Sequence, residues 1–295
     1  MDASKLFVPD KGKDHTDIAA KAYLSRKDIR ELVVPNSIDS IGDWAFAFMK
    51  NLEVLWIPKK EIRLGRDILK ECEKLQDIFC YEKVHEDQDF QMKETESEGV
   101  NIRFSSESTP ESRLFASVVM KLGVTDFLTP EEMGSDTWFH KLDKHLLNWI
   151  REDDQKGFAP SWFGGEEDYL EDSSNSKAAY QKEQERKKIE VVFERLDCDQ
   201  YLEEKSKEQY VDYLTTRMKE EEEPGQNAVW SFLLAHADYP AYCRFILQTG
   251  QISRTQIQAV IELLNGENPE LIAMLLSYAT EERQEIVGIF DDFTL

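Results

Sequence analysis

Histidine and cysteine, the side chains that most often bind transition metals, are few and scattered in this 295-residue chain. There is no Cys-x-x-Cys, no His-Glu-x-x-His and no Asp-x-Asp-x-Asp-Gly loop, although metal sites need ligands at spacings that converge. His140 and His145 are five positions apart, which on a helix points them in different directions. The sequence therefore predicts no metal ion and no cofactor.

The segment from Gly157 to Asn175, rich in Gly, Pro and acidic residues, is predicted to be a loop, and two features in it have residue types that chemistry could use. An acidic cluster could attract calcium, but it lacks the alternating ligands and turn glycine of a calcium loop, and we interpret it as solvated. The segment 161–165 (SWFGG) has glycines but no phosphate-binding lysine, and it is interpreted as an aromatic-anchored turn. With no Gly-x-Ser-x-Gly elbow either, no catalytic residue is predicted. The acidic cluster comprises Glu166, Glu167, Asp168, Glu171 and Asp172.

A 23-residue repeat opens the chain, because Ile18, Ile41 and Leu64 follow one another at that spacing. Further columns keep the same register: Ala22, Ala45 and Ile68; Tyr23, Phe46 and Leu69; Ile29, Leu52 and Leu75; Leu32, Leu55 and Ile78; Val34, Ile57 and Cys80. A single coil cannot bury its apolar side alone, whereas stacked coils share a core and a parallel sheet. The repeat therefore predicts a short coil of three stacked units.

The strand segments IRELVV, LEVLWI and LQDIFC have apolar residues at the positions of a leucine-rich repeat. Residues 41–46 (IGDWAF) and 52–58 (LEVLWIP) resemble the BspA-like (Treponema-type) leucine-rich repeat family. Tyr81 replaces the proline that ends the repeat, so the third unit is interpreted as a closing cap. The resemblance implies a binding module, and its relatives suggest adhesion at a bacterial cell surface.

Strand alternation predicts which side chains leave the coil. If Leu32, Val34 and their equivalents point inward, then Glu31, Val33, Val54, Trp56, Asp77 and Phe79 point onto the sheet face. Val33, Trp56 and Phe79 form one apolar column there, and an exposed stripe of that size is typical of a contact surface. These six residues are the predicted partner-binding site. Either the chain's own helical part or an external partner covers the stripe.

The remainder of the chain is predicted to be helical, which makes the fold class α-rich α+β with a leucine-rich repeat coil followed by an α-helical array. Leu114 to Leu122 have helical periodicity and are followed by Gly123 as a C-cap, and a second helix is predicted to begin after Thr129-Pro130. Trp138 to Ile150 repeat the helical period, and residues 176–222 suggest a long charged helix broken near Asp197. Asn227, Ser253 with Gln256, and Asn268-Pro269 mark helix starts. A 29-residue offset between Pro240 and Pro269 is weakly similar to ankyrin-type helix pairs.

These patterns predict four segments. They are a leucine-rich repeat module (1–82), an acidic linker or loop (83–110), a helical middle segment (111–175) and a C-terminal array of helix pairs (176–295). The four cysteines lie among apolar neighbours and are predicted to be buried thiols.

The formal net charge of −23 makes nucleic acid and anionic membrane surfaces poor partners. No apolar segment of secretory or membrane-spanning length is visible, which predicts a cytoplasmic protein; an extracellular or surface location stays open for a chain that has lost a leader.

The leading hypothesis is a non-enzymatic scaffold that binds a protein partner. Two alternatives belong to other classes: an enzyme with a site in the helical half, and a homo-oligomer that buries the Val33, Trp56 and Phe79 stripe between copies. A deep polar pocket with converging carboxylates would favour the enzyme.

Overall fold

The computed structural model describes residues 4–9, 16–82, 107–158, 169–218, 224–248 and 252–291, without the side chains of residues 125, 169–175 and 281–291. The chain forms two compact units, Met1–Leu142 and Asp143–Leu295. The first contains a solenoid of parallel strands followed by helices, and the second is helical. This confirms the predicted fold class, a leucine-rich repeat coil of about three turns and a helical region.

The solenoid strands fall into two parallel sheets, both of which follow the order of the sequence. The first sheet contains β1 (Lys5–Phe7), β3 (Glu31–Val33), β5 (Val54–Pro58) and β7 (Asp77–Tyr81). The second contains β2 (Asp17–Ile18), β4 (Ser40–Ile41) and β6 (Arg63–Leu64). Ile18, Ile41 and Leu64 are register partners, which confirms the 23-residue repeat.

Apolar side chains fill the interior between the two sheets. Leu32, Leu55 and Ile78 are register partners and are each at most 1% exposed. Val34 and Ile57 are equally buried, as the alternation predicts. Cys80, their equivalent in the third unit, is only half-buried, and its Sγ lies 3.7 Å from the Sδ of Met133. The inward column is therefore complete except at its last member.

The return segments repeat one backbone conformation. Six non-glycine residues have φ between 54° and 62°, and they form two further columns at the repeat spacing: Lys21, Trp44 and Asp67; Ser25, Phe48 and Glu71. Backbone bonds join the coils here, such as Tyr23 N–H to Ala45 O at 2.8 Å. At Gly65 an added Cβ would lie 2.4 Å from the backbone N of Asp43, so only glycine allows this approach.

The first unit continues with α1 (Pro110–Leu122), α2 (Val124–Phe127) and the start of α3 (Asp136–Arg151). Thr109 caps α1 in a capping box with Ser112, and Gly123 follows its end as predicted. The next long helix begins at Asp136 rather than directly after Pro130. Trp138 is fully buried on α3, where its Nε1 donates to the carbonyl of Phe127 at 3.1 Å.

Six helices of the second unit lie within the described residues: α4 (Tyr169–Asp197), α5 (Glu204–Met218), α6 (Ala228–Ala235), α7 (Ala241–Leu247), α8 (Arg254–Leu264) and α9 (Pro269–Asp291). The predicted break near Asp197 separates α4 from α5. The predicted loop from Gly157 to Asn175 is wrong over residues 169–175, because α4 already begins at Tyr169. Helices α5, α6 and α7 pack on α4, and α8 packs on α9.

Side-chain caps confirm the predicted helix starts in this unit. Asn227 Oδ1 accepts from the N–H groups of Val229 and Trp230, and Ser253 forms a capping box with Gln256. Pro269 is the first residue of α9. Helix α7 ends at Leu247; Gly250, where the sequence predicts the end of this helix, lies outside the described residues.

All four cysteines have free thiols, and Cys72, Cys198 and Cys243 are buried as predicted. Burial raises the pKa of the Cys72 thiol to about 11 and that of Cys243 to about 12. Within the part of the chain that the structure describes, no helix combines the length and the apolar character needed to cross a bilayer.

Candidate functional site

The face of the first sheet brings together all six residues predicted to bind a partner. Val33, Trp56 and Phe79 are register partners on β3, β5 and β7, and so are Glu31, Val54 and Asp77. Strand β1, which the 23-residue register did not predict, extends both columns with Phe7 and Lys5. The sheet face is therefore four strands wide.

The apolar column is buried along most of its length, which corrects the expectation of an exposed stripe. Val33 is 4% exposed and Trp56 is 7% exposed, whereas Phe79 is half-buried. The rings of Trp56 and Phe79 stack with centroids 4.2 Å apart and planes 15° apart. Adjacent coils thus use these rings to cover each other, because parallel strands place equivalent side chains in direct contact. Phe7, at 53% exposure, is the accessible end of the column.

A short polar chain holds Trp56 in this position. Its indole Nε1 donates to Glu31 Oε1 at 2.8 Å, and Lys5 Nζ forms an ion pair with the same oxygen at 2.5 Å. Lys5 Nζ also lies 5.3 Å from the centre of the Phe7 ring. Since an indole N–H needs an acceptor when it is buried, Glu31 orients Trp56 as well as facing the sheet surface.

Asp77 is the last member of the column that begins with Lys5, Glu31 and Val54, and its side chain is bonded within the protein. It is 5% exposed and accepts hydrogen bonds from Ser112 Oγ at 2.6 Å and Ser108 Oγ at 2.7 Å. Ser112 belongs to the capping box of α1, so Asp77 lies at the positive end of that helix. Helix α1 packs on β7, and Asp77 anchors it there. This edge of the sheet therefore contacts one of the chain's own helices.

The signal for β1 was present in the sequence. Phe7-Val8-Pro9 has the same aromatic or apolar, apolar, proline ending as Val33-Val34-Pro35. The two segments are 26 positions apart, because Phe7 pairs with Val33, and the 23-residue register therefore misses the first strand.

Residues 10–120 match the family model of the BspA-type leucine-rich repeat region, in six copies. The N-terminal region is a BspA-type leucine-rich repeat. The match extends beyond the strands of this BspA-type solenoid, which end at Tyr81, and its last eleven residues, 110–120, lie in helix α1. No curated protein and no solved structure gave a significant match to the chain.

Outside the BspA-type solenoid, the residues considered for metal binding do not converge. His140 and His145 are both exposed on α3, and His140 Nδ1 lies 2.9 Å from a carboxylate oxygen of Asp136. Among the described side chains no group of three or more His, Cys, Asp or Glu could hold a metal ion. The segment 161–165 and Glu166 to Asp168 lie outside the described residues, as do the side chains of Glu171 and Asp172.

Charge clusters inside the helical unit were not predicted. Arg195, fully buried, donates to both carboxylate oxygens of Asp143 at 2.8 and 3.0 Å, and Tyr210 donates to the same carboxylate. Burial, followed by the charge of Asp143, raises the pKa of Tyr210. The guanidinium also donates to the carbonyls of Cys198 and Gln200. Each charge faces its opposite, which is the arrangement that stabilises buried ions in a protein interior.

A second cluster joins α4 and α5 to the turn that follows α3. Lys188, 1% exposed, contacts Asp154 at 2.6 Å, and Arg217 links Asp154 at 3.2 Å to Glu185 at 2.6 Å. The Arg217 guanidinium lies 4.5 Å from the Tyr213 ring. Two cations and two carboxylates balance here. We interpret both clusters as structural.

Proposed function

We propose that this chain is a non-enzymatic scaffold whose BspA-type solenoid binds a protein partner on the sheet face. Exposed Phe7 at one edge of the four-stranded sheet face, with half-buried Phe79 at the opposite edge and half-buried Val54 between them, is the observation that supports the proposal most directly. Single surface aromatics are common, but here the ring ends a column whose next members are already rigid. An aromatic ring gains a large contact area when it is covered, at a smaller cost in side-chain entropy than a long flexible side chain.

The distribution of charge supports the same surface. Residues 4–9 and 16–82 contain twelve Lys or Arg and twelve Asp or Glu, whereas residues 143–295 contain 16 basic and 32 acidic residues. Close approach to the solenoid therefore meets less electrostatic repulsion than approach to the helical unit. A nucleic acid or an anionic membrane would be repelled by the chain as a whole, so the proposed partner is a protein.

The six predicted residues take different parts in this proposal. Phe79 and Val54 contact the partner together with Phe7, and Glu31 offers a carboxylate at the edge. Val33 and Trp56 support the surface from below, and Asp77 attaches α1 to it. Val33 and Trp56 are covered within one chain, so they offer little apolar surface for a contact between two copies, and we do not favour the homo-oligomer.

Affinity capture from a lysate of the native organism, followed by mass spectrometry, tests the sheet face. Phe7→Ser is the test variant, and Leu263→Ser on α8 is its matched control, because Phe7 is 53% and Leu263 52% exposed. We expect a protein that co-purifies with the wild type and the control but not with Phe7→Ser. Equal recovery by both variants, with unchanged circular dichroism, would refute the sheet face as the binding surface.

A cytoplasmic location is the second part of the proposal. All four cysteines are free thiols, and disulfides are rare in reducing compartments, which supports this location. The surface location that BspA-type relatives suggest is the alternative. Fractionation of the native cells with an antibody against the chain distinguishes them, since recovery from the envelope or the medium alone would exclude the cytoplasm.

A further inference from the structure

A groove of about 430 Å³ lies between α7 and α9 in the helical unit. Helix α9 contributes three side chains at positions i, i+3 and i+4, and α7 with its C-cap residue Gln248 contributes three at the same spacing, so each side of the groove is one helical face. The volume is within the range of protein binding sites, roughly 300 to 1,000 Å³. The residues that line the groove are Arg244, Leu247, Gln248, Met274, Ser277 and Tyr278.

The cation in this groove has no described partner. Arg244 is exposed, and its side chain makes no ion pair or hydrogen bond with any described residue. It is also the only Lys or Arg between Lys219 and Arg254. Some exposed basic side chains of this acidic unit pair with carboxylates, as Lys156 does with Glu152 at 2.5 Å. Arg244 therefore leaves one positive charge available beside an apolar surface.

The remaining lining is suited to a helix. Leu247 is buried, while Met274 and Tyr278 are half-buried, so apolar surface is accessible between two helical faces. A third helix can pack its side-chain ridges into the spaces between the side chains of two neighbouring helices, and methionine adapts its shape to different neighbours. Gln248 and Ser277, both exposed, form a polar rim that tolerates solvent at the edge of such a contact.

We propose that this groove binds an amphipathic α-helix of a protein partner, with apolar side chains on Leu247, Met274 and Tyr278 and a carboxylate on Arg244. An Arg–carboxylate pair fixes the register of the helix, and the apolar face supplies contact area. This surface lies on the helical unit and does not depend on the partner of the BspA-type solenoid. The scaffold then has two separate binding surfaces.

Two fluorescein-labelled helical peptides of about 16 residues test the proposal, a length at which helices become stable enough to study. Both have leucines at i, i+4, i+7 and i+11; one has glutamates beside the leucine stripe, and the other has lysines there. Fluorescence anisotropy with the full chain should show saturable binding of the glutamate peptide and at least about tenfold weaker binding of the lysine peptide, as expected for a charge-assisted contact.

Charge reversal localises the effect. Arg244→Glu should make the lysine peptide bind more tightly than the glutamate peptide. Lys205→Glu, an equal charge change at an exposed position of α5, should leave the order of the two affinities unchanged. The ¹³C-methyl resonance of Met274, assigned with Met274→Leu, should shift on addition of the glutamate peptide. Absence of saturable binding, equal binding of both peptides, an unmoved Met274 resonance or an equal effect of Lys205→Glu would each overturn the proposal.

Discussion

Between residues 16 and 82 the fully buried side chains are apolar apart from Asp77, whereas the helical unit encloses Arg195 and Lys188. The charged residues of the BspA-type solenoid pair at its surface instead, and three of these pairs keep the repeat spacing: Arg30 with Glu53, Asp43 with Arg66, and Lys50 with Glu73. Such exposed pairs contribute little, typically under about 1 kcal/mol. Repetition of apolar contacts, and not charge, stabilises the solenoid.

The two regions also differ in how far apart their partners lie along the chain. In the solenoid a side chain meets the residue 23 positions away, because every coil repeats the same path. In the helical unit Arg195 meets Asp143 and Lys188 meets Asp154, and no period relates these separations. The contacting residues of a repeat can therefore be predicted from its sequence period, whereas those of a helical core cannot.

Loss of Asp143 should have the largest effect. Asp143→Ala leaves the buried guanidinium of Arg195 without its carboxylate, and we expect a loss of about 3 to 5 kcal/mol of unfolding free energy in the helical unit. Native-state hydrogen exchange, which reports each region separately, should show faster exchange in α4 and α5 and an unchanged exchange rate in β5. Asp212→Ala, at an exposed position of α5, serves as the control.

Replacing both Asp143 and Arg195 distinguishes the contribution of the ion pair to stability from that of side-chain packing. Asp143→Leu with Arg195→Met should recover part of the loss, because no uncompensated charge remains. A double variant as unstable as Asp143→Ala would show that packing, and not the ion pair, controls this region.

The inward and outward positions of β5 offer the next contrast. Leu55→Ala removes a side chain that is 1% exposed and should cost about 2 to 5 kcal/mol. Its neighbour Val54 is half-buried on the sheet face, and Val54→Ala should cost under about 1 kcal/mol. Urea denaturation measures both changes, and similar losses at the two positions would contradict the alternation of the strand.

The stability of the solenoid should fall when one methyl group is added at Gly65, where two coils approach closely. Gly65→Ala places a Cβ 2.4 Å from the backbone N of Asp43, and we expect a loss of about 1 to 3 kcal/mol in the solenoid. Gly225→Ala is its control, since the added Cβ would lie 3.7 Å from Leu263, an ordinary contact. Thermal unfolding followed by circular dichroism tests whether only the first variant is less stable.

Helix caps should give the smallest effect, about 1 kcal/mol each. Asn227→Ala removes the acceptor for two N–H groups of α6, and Thr109→Ala removes the cap of α1. Local hydrogen exchange should rise at α6 in one variant and at α1 in the other, while Gln258→Ala, exposed on α8, changes neither. Equal changes at both helices would mean that the two regions unfold together.

Much of the fold follows from local rules that a single sequence contains. The column at Leu32 predicted the strands of the first sheet, and polar residues at Asn227 and Ser253 predicted helix starts, because caps and periodicity act over a few residues. The column at Ile18 gave the repeat spacing but not the strands of the second sheet. The start of α4 was placed too late because its first seven residues, 169–175, have a composition typical of a loop.

The candidate site was predicted only in its register. Alternation placed Val33, Trp56 and Phe79 side by side, but it could not show that stacking and a bond to Glu31 cover the indole. Asp77 resembled a surface carboxylate because its donors, Ser108 and Ser112, are more than 30 positions later in the chain.

The sequence by itself determined the leucine-rich repeat, its parallel register and the helical character of the remainder, since these depend on spacing and on neighbours along the chain. Only the tertiary structure decided which outward side chains stay accessible and which charges are buried as pairs. It also placed Arg244, without a described ion-pair partner, at the edge of an apolar groove. Burial and ion pairing depend on segments that are distant in sequence, and distance along the chain does not specify distance in space.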